Sequence, residues 1–149
     1  PIPNPQSPIP NPQSPIFFVL TYVIRNKNFI NIFNNHINKK MKYVGRVLLN
    51  SYLKKRSNIL HMWNTRLCVL TENYLITYKQ TEKNGTKITN SIYLPECTDI
   101  QNSDKYLNKD YSFELIHKDK SFYFICNDRI EQLEWIKEIQ KAIIDIKNK

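Results

Sequence analysis

Lys54, Lys55 and Arg56 stand side by side at the end of one apolar-alternating segment, and Arg66 follows early in the next. Converging ammonium and guanidinium groups hold phosphate through charge-assisted hydrogen bonds, with the arginine fork taking two oxygens and the lysine acting as a point charge. Between them runs Ser57-Asn58-Ile59-Leu60-His61-Met62, which sets Ile59, Leu60 and Met62 inside a basic ring. An apolar wedge of that kind suits shallow entry into an anionic leaflet, where each nearby cation contributes about 1 kcal/mol. The alternative use of Ile59 and Met62 is packing over the neighbouring strands. Residues 1 to 71 carry ten basic side chains and no acidic one, whereas residues 72 to 149 carry twelve basic and thirteen acidic, so the whole +9 charge is N-terminal. Such asymmetry favours a polyanionic partner, either nucleic acid or an anionic membrane.

Other chemistries find little material. With only 2 glycines, Gly45 and Gly85, the 149-residue chain cannot build a P-loop, a dinucleotide fingerprint or an EF-hand. Cys68, Cys97 and Cys126 are isolated and lack a CxxC, which fits a reduced intracellular chain better than a disulfide framework or a zinc site. Cys68 alternates in phase with Leu70, and Cys126 with Phe124 and Phe122, so both read as small core residues. His36, His61 and His117 have no metal-ligand spacing. No catalytic residue, metal or cofactor is expected.

The elements that must position the cations follow from periodicity. Residues 1 to 14 repeat PIPNPQS twice, a proline-rich extended arm with no core of its own. Ile16 to Ile24 is an apolar run of nine residues, about half the ~20 needed to span a bilayer. An Asn-rich stretch continues to Lys40, and the irregular composition ends at Met41, the first methionine. Residues 1 to 40 are therefore expected outside the core, with a domain over 41 to 149. In that domain, alternating apolar residues and recurrent turn signals predict strands near 44-55, 62-70, 73-79, 87-94, 98-101, 111-117 and 120-126. Asn84-Gly85 and Lys118-Asp119 mark hairpins, the first with a type I′ signature. The period then changes. Asp128 is a helix N-cap with Glu131 at capping-box spacing, and Leu133, Trp135, Ile136, Ile139, Ala142, Ile143 and Ile146 form the apolar face of an amphipathic helix. The fold class is mainly β: a seven-stranded antiparallel barrel or sandwich capped by one C-terminal helix, with Trp135 as the core marker covering an open end.

Three groups of residues give this order a specific likeness. They are Tyr52-Leu53-Lys54-Lys55, then Trp63-Asn64-Thr65-Arg66-Leu67-Cys68-Val69-Leu70 with Leu75 to Tyr78, and finally Ser112 to Leu115, Phe122 to Cys126 and Trp135. Together they resemble the pleckstrin-homology (PH) family over about residues 43 to 147. The resemblance implies two near-orthogonal sheets, a helix plugging one end and a basic, loop-lined mouth at the other. It also implies a phosphoinositide motif, in which Lys55 matches the lysine ending the first strand and Arg66 the arginine of a basic-x-Arg triplet. Asn64 departs from the triplet's first basic position, and Thr77 stands where phosphate-touching members often have tyrosine. Lys87, after the Asn84-Gly85 signal, is a further cation for the mouth.

Alternation supports the same two residues without the family. If Leu53 points inward, so does Lys55, and an inward lysine survives only by facing an open mouth. The expected function is a non-catalytic, monomeric lipid-binding module, peripheral at the cytosolic face of a membrane. It would recognise phosphoinositide or other anionic headgroups such as phosphatidic acid through Lys54, Lys55, Arg56, Arg66 and Lys87. The alternative is a PH-like protein-interaction module with no specific lipid ligand. Nucleic acid is not expected as a partner, because the basic half carries neither an RNP nor a helix-turn-helix pattern.

Because a proline repeat cannot join a sheet ladder, residues 1 to 40 should be dispensable for folding. Thermal melts of the full chain and of residues 41 to 149 are expected to agree within a few degrees.

Overall fold

The computed structural model describes residues 46–82, 85–118 and 120–149. Seven antiparallel strands come first: β1 (Val47–Arg56), β2 (Trp63–Thr71), β3 (Tyr74–Gln80), β4 (Thr86–Tyr93), β5 (Cys97–Asn102), β6 (Ser112–His117) and β7 (Lys120–Ile125). A short 3-10 turn, Leu94–Glu96, joins β4 to β5, and a one-turn helix α1 (Asp104–Leu107) joins β5 to β6. The long helix α2 (Arg129–Lys147) ends the chain.

The strands form a single sheet in the order β4-β3-β2-β1-β7-β6-β5. The expected barrel is not closed, since β4 and β5 remain its two edges. Pro95 sits in the turn between them, where it lacks a backbone donor for a ladder, and α2 covers the gap instead by packing on that turn and on β5. The halves of the sheet meet along a narrow seam in which β1 and β7 pair only through Lys54↔Ile125 and Lys55↔Phe124. On its other side β1 keeps one register with β2 from Leu49↔Leu70 to Arg56↔Trp63, after a shift between Val47 and Leu49.

One core fills the sheet's concave face. Leu53, Cys68, Leu70, Leu75, Ile92, Leu94, Phe113, Leu115, Phe122 and Phe124 are buried there, with Trp135, Ile139, Ala142 and Ile143 from α2 laid over them. Trp135 is 1% exposed, lies parallel to Phe113 at 6.5 Å between ring centroids, and donates its indole N–H to Ser51 Oγ at 2.9 Å. That bond satisfies the one polar atom of an otherwise buried ring.

The helix starts as expected and then rotates away from one expectation. Asp128 caps it by accepting the Glu131 N–H at 2.8 Å, while the Glu131 carboxylate reaches back to the Asn127 N–H at 2.7 Å, one residue before the cap. Leu133, expected on the apolar face, is 57% exposed. Gln132 takes the inward place, fully buried, because its amide donates to Asp104 Oδ1 at 2.9 Å and to the Ser112 carbonyl at 2.7 Å. Asp104 also holds Arg129 at 2.5 Å, so α1, β6 and the first turn of α2 are knitted together by polar groups. The stripe Gln132, Trp135, Ile139, Ala142, Ile143 then runs at the regular helical period.

The two hairpin expectations divide. β6 and β7 are joined by residues 118 and 119 alone, with His117↔Lys120 the last pair and Lys118 at φ 27°. Between β3 and β4 the connection is five residues, 81–85, and the Thr81 N–H donates to the Gly85 carbonyl at 2.9 Å. That is longer than a two-residue type I′ turn; Asn84 itself lies outside the described residues, as do Asp119 and residues 1–45 with their proline repeat and apolar run. Among the described residues, no helix is long and apolar enough to cross a membrane.

Trp135→Ala is expected to be the most damaging single change, costing about 3–5 kcal/mol through lost burial and the cavity left against Phe113. Denaturant unfolding measures this directly, and a loss below about 1 kcal/mol would contradict the role given to the ring.

Candidate functional site

At the end of the sheet where β1 turns into β2, the concave face opens to solvent. A cleft of about 150 Å³ lies there, lined by Lys55, Arg56, Ser57, Asn58, Asn64, Arg66, Thr89 and Asn90. Lys55 and Asn64 face each other in the β1–β2 ladder, and Arg66 is paired with Leu53 one full alternation deeper. On the far wall the Thr77 and Thr89 hydroxyls bond to each other at 2.8 Å, and Thr89 also donates to the Thr77 carbonyl at 3.1 Å. Both hydroxyls are thus committed to bracing β3 against β4, and Thr89 lines the cleft.

Lys55 carries the site's electrostatics. It is 6% exposed, and its acceptor on the protein is the Arg56 carbonyl at a long 3.4 Å. The ammonium lies 5.5 Å from the centre of the Phe122 ring, a cation–π contact that offsets part of the lost hydration. Burial lowers the Lys55 pKa from its ordinary value, and the positive charges of Arg66 and Lys120 lower it further against an opposing contribution from Cys68. Arg66 is half-exposed and donates one N–H to the Thr65 carbonyl at 2.8 Å, which leaves other guanidinium donors for a ligand. No ion pair among the described residues includes Lys55, Arg56, Arg66 or Lys120.

The remaining expected cations fall in different places. Arg56 borders the cleft but lays its guanidinium over the Tyr123 ring at 5.4 Å, on the sheet's outer face. Lys54 shares that outer face by alternation and is exposed. Lys87 is exposed, sits opposite Lys79, and does not line the cleft. Above the cleft, Ile59, Leu60 and Met62 are 89%, 72% and 57% exposed, so packing over the strands is not their use here. The tip is held rigidly from below: Ser57 N–H donates to the Met62 carbonyl at 2.7 Å, Met62 N–H donates to Ser57 Oγ at 3.0 Å, and His61 takes a left-handed φ of 53°. Asn64 adds a 3.4 Å bond from its amide to the Met62 carbonyl, which is the structural employment of the residue that departs from the basic triplet.

Sequence reasoning placed the β6–β7 hairpin but missed Lys120 on it as a further cation. Lys120 places its ammonium 5.2 Å from the centre of the same Phe122 ring that Lys55 covers, and the ring's third neighbour is His117, edge-on at 6.2 Å. The signal was the alternation Lys120, Phe122, Phe124, which puts the lysine on the inner face at the strand's open end. On the outer face, a second polar cluster surrounds the nearly buried Glu114. Burial would raise its pKa, but hydrogen bonds from Ser121, Tyr106, Gln101 and Tyr123 outweigh that and hold it below the ordinary carboxylate value. The three cysteines are free and buried; burial pushes the Cys97 thiol up to about 11 and raises Cys68 and Cys126 as well, so all three stay protonated at neutral pH. Among the described residues there is no group of three or more His, Cys, Asp or Glu side chains able to hold a metal ion.

A family model described as PH domain matches residues 47–144, from the first residue of β1 into the last turns of α2. The chain belongs to the PH domain family. It is 24% identical over 98 residues to pleckstrin homology domain-containing protein 1 of Arabidopsis thaliana, covering 64% of this chain and 68% of that one. It is 32% identical over 102 residues to pleckstrin-2 of Mus musculus, covering 65% of this chain but 28% of that protein. Among solved structures, the Slm1 PH domain in complex with phosphoserine superposes with a TM-score of 0.55 at 22% identity, over 65% of this chain and 95% of that one. The same domain in complex with inositol 4-phosphate gives 0.52 at 18%, over 64% and 95%. At these identities the likeness concerns the fold.

Removing a buried ammonium should help folding even where it harms binding. Lys55's pKa is lowered on folding, so the unfolded chain binds more protons between the folded value and the ordinary one, and stability should rise with pH across that alkaline window. Lys55→Met is expected to raise unfolding stability at pH 7 by roughly 0.5–1 kcal/mol and to flatten that rise. A marked loss of stability would show that the ammonium is internally compensated.

Proposed function

We propose that this chain is a non-catalytic lipid-binding module that holds a phosphoinositide or another anionic headgroup, such as that of phosphatidic acid, at the cytosolic face of a membrane. The observation that carries this reading is Lys55: a lysine 6% exposed, without a carboxylate partner among the described residues, at the edge of a cleft it shares with Arg66. A buried cation is expensive unless an anion compensates it. The exposed Ile59, Leu60 and Met62 directly above would dip into the interface while the cations meet headgroups. The inositol 4-phosphate complex of the Slm1 domain supports phosphate as the ligand chemistry for a domain of this fold.

A second reading, docking of a protein, is favoured by a separate feature. Ile130 and Leu133 stand 79% and 57% exposed on neighbouring positions at the start of α2, away from the cleft.

Vesicle sedimentation distinguishes the two. Binding to anionic vesicles is expected to be modest and to fall with ionic strength, since attraction is screened beyond a Debye length of about 8 Å at physiological salt. Lys55→Glu and Arg66→Glu should each reduce it further, and Leu60→Asp should weaken it independently. Asn64→Lys should strengthen phosphoinositide binding more than a control lysine at Asn148, the C-cap of α2. Equal gains at the two positions would reduce the interaction to diffuse charge. Indifference to Lys55→Glu, Arg66→Glu and salt would leave the protein-docking reading.

A further inference from the structure

The long helix carries a second apolar stripe that its own sheet does not cover. The residues of α2 buried against the core are Gln132, Trp135, Ile139, Ala142 and Ile143, whereas Ile130, Leu133 and Ile144 are 79%, 57% and 49% exposed. Lys137 and Gln140, also exposed, complete with them a run at steps of three, four, three and four residues, the spacing that keeps one seam of a helix turned toward a partner helix. The two flanks of this seam differ. Ile136 and Ile143 line one of them and pack into the core, so that side is occupied by the domain itself. Glu134 and Lys141, one heptad apart, line the other, and both are exposed. No ion pair among the described residues includes Glu134, Lys137, Glu138 or Lys141.

We propose that this seam is a self-association surface, on which α2 of a second copy of this chain packs antiparallel, in place of the monomer expected from the sequence. The flanks decide the direction. In a parallel pair the open flank of each helix would meet the flank that the other has already packed on its own sheet, whereas reversing one helix brings the two open flanks together. Charge then decides the register. With Leu133 of one copy on Ile144 of the other, Lys137 lies beside the second copy's Gln140 and not beside a like charge, and Glu134 comes next to the second copy's Lys141. The two-fold axis repeats each contact, so one self-complementary face yields two leucine–isoleucine layers flanked by two ion pairs of opposite charge. Ile130 lies at each end of the seam, against the methylene stem of the second copy's Lys147. Only three apolar side chains per copy take part, so the interface falls below about 1,200 Å² and the pair is weak and reversible, with a Kd of roughly 10–100 µM. Pairing of this kind is independent of the lipid reading, because no residue of α2 lines the cleft.

Sedimentation equilibrium of the full chain without lipid, from about 5 to 500 µM so as to bracket the expected Kd, tests this. The average mass should rise toward twice that of the monomer and stop there, since a two-fold interface closes on itself. Leu133→Asp is expected to weaken pairing by at least about tenfold, because it places a carboxylate in an apolar layer. Glu134→Lys and Lys141→Glu should each weaken it about three- to tenfold by setting like charges opposite one another, and the double variant should return to within about twofold of the unmodified chain. Lys141→Glu separates this from simple net charge: it makes a basic chain less basic, so diffuse repulsion between copies would fall and association would strengthen. Thermal melts confirm that the variants, all at exposed positions, remain folded. A chain monomeric across the whole range, pairing indifferent to Leu133→Asp, stronger pairing in Lys141→Glu, or no rescue in the double variant each overturns the proposal. Loss of vesicle binding in Leu133→Asp by a chain that stays monomeric would also overturn it and give this face to the membrane. None of the lipid-free outcomes bears on the cleft, whose own test is the response of vesicle binding to Lys55→Glu and Arg66→Glu.

Discussion

The packing of Trp135 against the concave face of the sheet is the interaction on which the rest depends. An open sheet of seven strands has an apolar side and two unpaired edges, and neither can face water. The indole fills the space beside Phe113, its N–H is answered by Ser51 in β1, and the helix that carries it lies across the turn between the edge strands. The polar network of Asp104, Ser112, Gln132 and Arg129 then sets the helix's rotation, since it ties the first turn of α2 to both α1 and β6. A helix held by both an aromatic plug and a buried amide has one way to dock.

Closing one end of the sheet leaves the other end to loops, and there the same inner face emerges as the mouth. The alternation that sends Leu53 and Phe124 into the core sends Lys55 and Lys120 to its rim. Their positions follow from strand register alone, so the cations are held by the ladder and not by pairing with acids. That arrangement is costly for the isolated protein, since a cation held out of water is offset only when an anion meets it. The outer face shows the contrast: Glu114 is equally buried from water but has its hydrogen-bond donors supplied by four neighbours, and so it is a structural group.

Much of this could be read before any coordinates. Period-2 segments marked all seven strands to within a few residues, the change of period after Cys126 marked α2, and the inward phase of Lys55 followed from Leu53. The site was legible in part. Lys55, Arg66 and Asn64 do converge on one cleft, because hairpin partners close in sequence are placed by a single turn. Lys54 and Arg56 were grouped with them by adjacency, yet alternation puts both on the outer face, where Arg56 covers Tyr123. Lys87 was placed by the Asn84-Gly85 signal, and a five-residue connection carries it away from the lining.

Local chemistry, then, determined the elements: β-branched and aromatic alternation, the Asp128 cap and the amphipathic stripe act over a few residues and need no partner. What only the tertiary structure decided was which faces meet. Gln132 displaced Leu133 from the core because Ser112 and Asp104, distant in sequence, offered acceptors that a leucine cannot use. Lys120 joined Lys55 because the β1–β7 seam laid two hairpins over one phenylalanine. The sheet stayed open with the helix packed on β5 and on the turn between the two edge strands, and none of these outcomes has a signature within a single segment, since each depends on a contact between residues that the chain holds far apart.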